Sequence, residues 1–148
     1  MRRTFPAVAA ALLVACSAPS APPEDPTAAV DSMLRASADA WNRGDLDAFM
    51  SDYANEPTTG FVSGGRVQYG YDWIRSNYAP RFEPGARRDS LRFENLAARA
   101  LGHDHALATA RYVLFRSDSV TSSGPFTLVL RHSEAGWRIV HDQTGTDE

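Results

Sequence analysis

From Arg87 to Thr144 the chain consists of segments that read as strand, and this late block of four limits the fold more than any other feature. Residues 87–100 form one long run, with Leu91 and Phe93 on one face. Ala106 to Arg116 is the second run, Pro125 to Ser133 the third and Trp137 to Thr144 the fourth. Apolar residues alternate with polar ones over parts of each run, as a half-buried strand requires. Gly102, Ser122-Ser123-Gly124 and Ala135-Gly136 supply turn chemistry between them. Long strands joined by short turns pair as an antiparallel meander.

The earlier half has a different period. Asp25-Pro26 is a helix start, an acid cap followed by proline at the first helical position. Val30, Met33, Leu34, Ser37, Ala38 and Trp41 then form one stripe at three- and four-residue spacing. Gly44 ends this helix, and Asp45 caps a short second one carrying Leu46, Phe49, Met50 and Tyr53. Thr58 to Ser63 and Arg66 to Tyr69 flank Gly64-Gly65, a hairpin signal. Tyr71 to Tyr78 reads as a third helix, broken by Pro80, Pro84 and Gly85. Helices gathered against one face of a meander define an α+β domain. At 148 residues and 43% hydrophobic, the chain is long enough for one such domain and its core.

The first 26 residues stand apart. Arg2 and Arg3 precede an apolar stretch, Phe5 to Ala15, too short to anchor in a bilayer. It ends Leu13-Val14-Ala15-Cys16, which resembles the bacterial lipobox. That resemblance implies removal of residues 1–15, acylation of Cys16 and attachment to the cell envelope. Ser17, and no aspartate, follows the cysteine, which points to the periplasmic face of the outer membrane. One cysteine excludes an internal disulfide. Residues 16–26 read as the lipidated cysteine and a tether, with four prolines in SAPSAPPEDP. The folded domain is then 27–148, held at the membrane by lipid alone. All 15 basic residues are arginine, yet they are scattered among acids and the net charge is −3. No basic stripe offers itself to nucleic acid.

Three segments carry a family resemblance: AWNRGDLDAFMSDYA (40–54), FVSGGRVQYGYDWI (61–74) and FTLVLRHSEAGWRIVHDQTG (126–145). In this order and spacing they resemble SnoaL-like domains of the nuclear transport factor 2-like superfamily, over roughly residues 28–145. The stretch GDLDAF and the ending GWRIVHDQ are also similar to the association domain of calcium/calmodulin-dependent protein kinase II. The resemblance implies a cone: a strongly curved mixed or antiparallel sheet wrapped around three N-terminal helices. It also implies a homodimer through the sheet's outer face, and a pocket at the open mouth. The superfamily holds both enzymes and binding modules, so the fold leaves the activity open.

Alternation sorts the candidate site residues. On the last strand Trp137, Ile139, His141 and Gln143 share a face, opposite Arg138, Val140 and Asp142. Arg111 aligns with Thr109 and Val113, and Thr127 with Val129 and Arg131. The resemblance places His141 and Arg111 on the concave side. A neutral histidine beside a permanent cation suits anion capture, and His141 is the candidate general base. Each also has a plainer reading, His141 as a cross-sheet hydrogen bond and Arg111 as an ion pair with Glu94 or Asp89. Trp41, Tyr53, Phe61, Tyr69, Trp73 and Tyr78 supply aromatic wall, with Tyr53 and Tyr69 at the rim. Trp41 and Trp73 read first as core. Many relatives carry a second histidine where Gln143 stands, which weakens a two-histidine metal site. His103-Asp104-His105 sits in a predicted turn without a third ligand at recognisable spacing. No motif asks for a cofactor. The aspartate base of ketosteroid isomerase has no counterpart in Phe61-Val62-Ser63-Gly64, so a buried proton-abstracting carboxylate is not expected.

These readings combine into a lipid-anchored domain that binds a small polar or anionic ligand through Arg111, His141, Gln143, Tyr53, Tyr69, Thr127, Trp41 and Trp73. The alternatives are an isomerase, dehydratase or hydrolase using His141, or a non-catalytic partner domain.

Overall fold

A computed structural model describes residues 25–148. The leader, Cys16 and all of the tether but Asp25-Pro26 lie outside the described residues. Helix α1 runs Thr27–Arg43 and α2 Leu46–Met50. Strands β1 (Gly60–Ser63) and β2 (Arg66–Tyr69) form the hairpin, and α3 (Tyr71–Tyr78) ends in a single 3-10 turn. Strands β3 (Ser90–Ala100), β4 (His105–Arg116), β5 (Ser119–Ser133) and β6 (Gly136–Thr144) complete one open, curved sheet in the order β2-β1-β6-β5-β4-β3. Every pairing is antiparallel except β1 with β6, so the sheet is mixed.

Local chemistry explains the early elements. The Asp45 carboxylate accepts the Ala48 N–H at 2.9 Å and starts α2, while Gly44 closes α1 at φ 77°. Gly64 and Gly65 both take positive φ, as a two-residue hairpin loop demands. Pro26, not Asp25, occupies the cap position of α1, and Asp25 instead accepts the Thr27 N–H at 2.9 Å. Helix α1 is tied to β3 by polar bonds as well as apolar packing. The Trp41 indole donates to the Asp89 carbonyl at 2.8 Å, and Asn42 bridges both main-chain groups of Leu91.

Three sequence expectations are corrected. The first of the four late strands begins at Ser90 rather than Arg87, and the third begins at Ser119, well before Pro125. Ser122-Ser123-Gly124 is therefore ladder, paired with Leu114, Val113 and Tyr112, and the turn falls at Ser117-Asp118. Gly124 is a glycine for another reason. A Cβ there would overlap the Gly145 carbonyl and stand 2.8 Å from Thr146 Cα. The tail after β6 crosses here, held by Gly145 N–H to Pro125 O and Asp147 N–H to Ser123 O. Gly124→Ala is expected to cost about 1–3 kcal/mol, read as a lower denaturant midpoint, because backbone must move to admit the methyl group.

The third correction bears on the site. Strict alternation fails twice. In β3 the pairing shifts between Glu94 and Ala97, with Asn95 at φ 58°. In β6, Leu130 pairs with Ile139 while the neighbouring Val129 pairs with His141, leaving Val140 as an extra residue. Such a bulge inverts the phase of everything after it. Ile139 and Asp142 both point inward, and His141 and Gln143 face outward.

Candidate functional site

The concave side of the sheet, α1 and α3 enclose a cavity of about 630 Å3. Its wall is aromatic. Trp41, Phe49 and Tyr78 meet edge to face, with Trp41–Phe49 centroids 5.5 Å apart and Phe49–Tyr78 4.9 Å apart. Phe93 and Phe126 meet similarly at 5.4 Å across β3 and β5. Edge-to-face contacts hold these rings in fixed orientations and leave the space between them open.

At the base lies Asp142, 4% exposed. The Tyr53 hydroxyl donates to its Oδ2 at 2.7 Å and the Thr144 hydroxyl to its Oδ1 at 2.7 Å. Tyr53 is brought there by main-chain bonds to β6: Ile139 N–H donates to Asp52 O, and Ala54 N–H to Ile139 O. Burial raises the Asp142 pKa, and the Tyr53 and Thr144 donors and the His141 charge counter this only in part. Burial and the Asp142 charge likewise push both Tyr53 and Tyr78 upward, so both hydroxyls stay protonated. Their oxygens stand 3.5 Å apart. Asp142, Tyr53, Tyr78 and Thr144 thus present donors and an acceptor in an apolar chamber, where each bond is stronger than in water.

Polar residues mark the opening: Ser63, Arg66 and Gln68 on the hairpin, Asn77 and Arg81 on and after α3, and Thr146 on the tail. Arg66 and Arg81 are exposed.

The sequence candidates divide accordingly. Trp41, Tyr53 and Trp73 line the cavity. Tyr69 is 63% exposed and lines a separate depression beside Trp73. Arg111, Thr127, His141 and Gln143 lie on the outer face, a correction to the concave placement expected for them. Arg111 pairs with Asp147 of the tail, neither Glu94 nor Asp89. The His141 ring covers Gly60, whose missing Cβ would overlap Nδ1. The Asp142 carboxyl, not the His141 imidazole, faces the cavity, and the expected lack of a buried carboxylate is overturned. Simple alternation sets Asp142 opposite His141, away from the concave face. The one sequence sign of the bulge is the adjacent pair Ile139-Val140, two apolar β-branched residues where one should face water. The His105 imidazole and the Asp104 carboxylate bond to each other at 2.8 Å. Among the described residues no three metal-ligating side chains converge.

An open curved sheet over helices, with a ligand-sized cavity on its concave side, is the architecture of nuclear-transport-factor-2-like domains. The chain belongs to the SnoaL-like domain family, which matches residues 30–144. It is similar to a nuclear-transport-factor-2-like protein of unknown function from Shewanella oneidensis, at 28% identity and a TM-score of 0.72, over 81% of this chain and 98% of that one. It shares its fold with a putative calcium/calmodulin-dependent protein kinase type II association domain from Thiobacillus denitrificans (17% identity, TM-score 0.66, 80% and 94% covered). A putative aromatic ring hydroxylase from Novosphingobium aromaticivorans is another structural neighbour (19%, 0.65, 82% and 89%). No curated protein matches the chain.

Proposed function

We propose that this domain binds a small, largely apolar ring compound in the cavity and holds one polar group of it against Asp142 and Tyr78. The observation that carries this reading is an aromatic chamber of about 630 Å3 closed at its base by a buried, hydrogen-bonded carboxyl. Pockets of this size, mostly apolar with a few fixed polar groups, suit molecules of one to three rings. The test compares 2-naphthol with naphthalene by quenching of the cavity tryptophans. The wild-type chain is expected to prefer the naphthol about tenfold, one well-placed buried hydrogen bond. Asp142→Asn and Tyr78→Phe are expected to shrink that preference while leaving naphthalene binding unchanged. Binding of neither compound, or an equal preference in all three proteins, would sink the reading.

The same base supports a second reading, acid–base chemistry on the bound molecule. A carboxylate in this setting can take a proton from the carbon beside a ketone, with the enolate oxygen held by a tyrosine hydroxyl, and then return it. Solvent deuterium exchange into 2-tetralone reports this directly. Faster exchange with wild type than with Asp142→Asn would support it, and equal rates would end it.

The leader pattern supports lipid attachment at Cys16 in the cell envelope, and no helix of the described residues is long and apolar enough to cross a membrane. Labelling with an alkynyl fatty acid, lost in Cys16→Ala, is the check. Pairing of two copies through the outer face is supported by the uncharged residues Thr109, Thr127 and Val129 there. It should give a dimer mass in light scattering that Val129→Asp reduces to the monomer.

A further inference from the structure

We infer that the ligand carries an anionic group at the end opposite its buried polar group, recognised by Arg66 and Arg81 at the cavity mouth. This inference rests on the cavity-binding reading and narrows the ligand class to amphipathic organic anions, ring compounds ending in a carboxylate or a sulfonate-like group.

The charge pattern of the lining carries it. Of all residues facing the cavity, only Arg66, Arg81 and Asp142 are ionisable to full charge near neutral pH. The acid is at the buried base and the two cations are exposed. Elsewhere on this acidic domain the arginines mostly find carboxylates: Arg35 with Asp31, Arg75 with Asp47, Arg92 with Glu94, Arg111 with Asp147, Arg116 with Asp89 and Arg131 with Glu56. Those at the mouth do not. The Arg66 side chain makes no hydrogen bond or ion pair among the described residues. Arg81 donates to the Asn77 carbonyl at 3.0 Å and stands over the Tyr78 ring at 5.8 Å, again without a carboxylate. The Tyr78 contact sets the Arg81 guanidinium over the same ring whose hydroxyl approaches that of Tyr53, the donor to Asp142. Two uncompensated guanidiniums over an apolar chamber attract an anion and match its oxygens with paired N–H donors. An anion driven deeper would leave both guanidiniums for an apolar wall that cannot solvate it, which favours entry with the charged group outermost.

Two fluorescent probes isolate the charge. 8-Anilinonaphthalene-1-sulfonate and N-phenyl-1-naphthylamine share their rings and differ by the sulfonate, and both brighten in apolar surroundings. The wild-type chain is expected to bind the sulfonate about tenfold tighter than the neutral amine, the size of a charge-assisted contact at a partly solvated rim. Arg66→Gln and Arg81→Gln should each reduce that preference several-fold, and the double variant should remove it. Arg99→Gln, on β3 and outside the cavity, should leave it intact. Because the Arg66 side chain holds nothing else in place, Arg66→Gln keeps the test decisive even if Arg81→Gln lowers stability. Equal affinity for the two probes in wild type, or a preference that survives the double variant, would overturn the inference while leaving cavity binding standing. Failure of both probes to bind would count against cavity binding itself and remove the basis of this inference.

Discussion

Replacing Trp41 with alanine is expected to lower the folding stability by about 3–5 kcal/mol, the range for deleting a buried tryptophan. Trp41 is 5% exposed and meets three other rings, those of Phe49, Tyr78 and Phe82, the last at 5.3 Å. It also supplies the hydrogen bond to Asp89 O that ties α1 to the start of β3. Deletion removes the ring contacts, leaves that carbonyl without its donor and enlarges a cavity that is already open. Trp41→Phe separates the contributions, since it keeps most of the ring area and loses only the N–H. Its expected cost is about 1–2 kcal/mol, the value of one buried hydrogen bond plus a small void. Urea midpoints of the two variants are the measurement. A Trp41→Ala loss below that of Trp41→Phe would show that the ring is ligand wall alone and adds little to the core.

The second large effect is in pH. Asp52 is drawn into the junction between α2 and β6, where its Oδ2 is buried with no hydrogen-bond partner among the described residues. Burial lifts its pKa to about 6, with the Ser37 hydroxyl and the Arg138 guanidinium offsetting part of that rise. Asp142 is shifted in the same direction. A carboxyl whose folded pKa exceeds its unfolded value takes up a proton on folding between the two, so acidification favours the folded state there. The melting temperature is therefore expected to climb as pH falls from 8 toward 4.5. Asp52 contributes about 2 kcal/mol of that gain, the part of its displacement from 3.8 to about 6 that lies above pH 4.5, at 1.36 kcal/mol per unit. Below about pH 4 the gain reverses, because Asp89, Asp104 and Asp147 are held below the usual carboxylate range by their partners and lose them on protonation. Asp52→Asn should be about 3 kcal/mol more stable than wild type at pH 8 and only about 1 kcal/mol more stable at pH 4.5. A flat wild-type profile from pH 8 to 5 would contradict the buried placement of both carboxyls.

What the sequence revealed follows the reach of its signals. Gly44, Asp45, Gly64-Gly65 and the Tyr71–Tyr78 helix are set by neighbours within four residues, and their predicted and observed positions agree. Trp41 in the aromatic wall was also legible, because it keeps to the apolar stripe of α1, whereas Tyr53, expected on the second helix, lies beyond Met50, the end of α2, and reaches the wall through a bridge to Ile139. The polar base was not. Whether His141 or Asp142 faces inward is decided by how β6 pairs with β5, and the extra residue at Val140 appears only when both strands are laid side by side. Arg111 was misplaced for a related reason. Its partner Asp147 stands beyond the last strand, and only the close passage over Gly124 brings the tail there. Local propensity reads the elements, and the sign of each face belongs to the ladder.

An open sheet has two sides along which another chain could add itself, and here they are treated differently. The β2 side is four residues long, too short to template much growth. The β3 side is eleven residues long and is the greater hazard in a concentrated solution. Asn42 and Thr27 of α1 already occupy the main-chain groups of Leu91 and the Ala98 carbonyl, the irregularity at Asn95 interrupts the row between them, and Arg92, Glu94 and Arg99 place charge along it. The kink that lets Leu96 follow Phe93 into the core thus also acts on colloidal behaviour. It leaves an incoming strand no unbroken stretch to match, and so it favours a dispersed protein over a fibrous one.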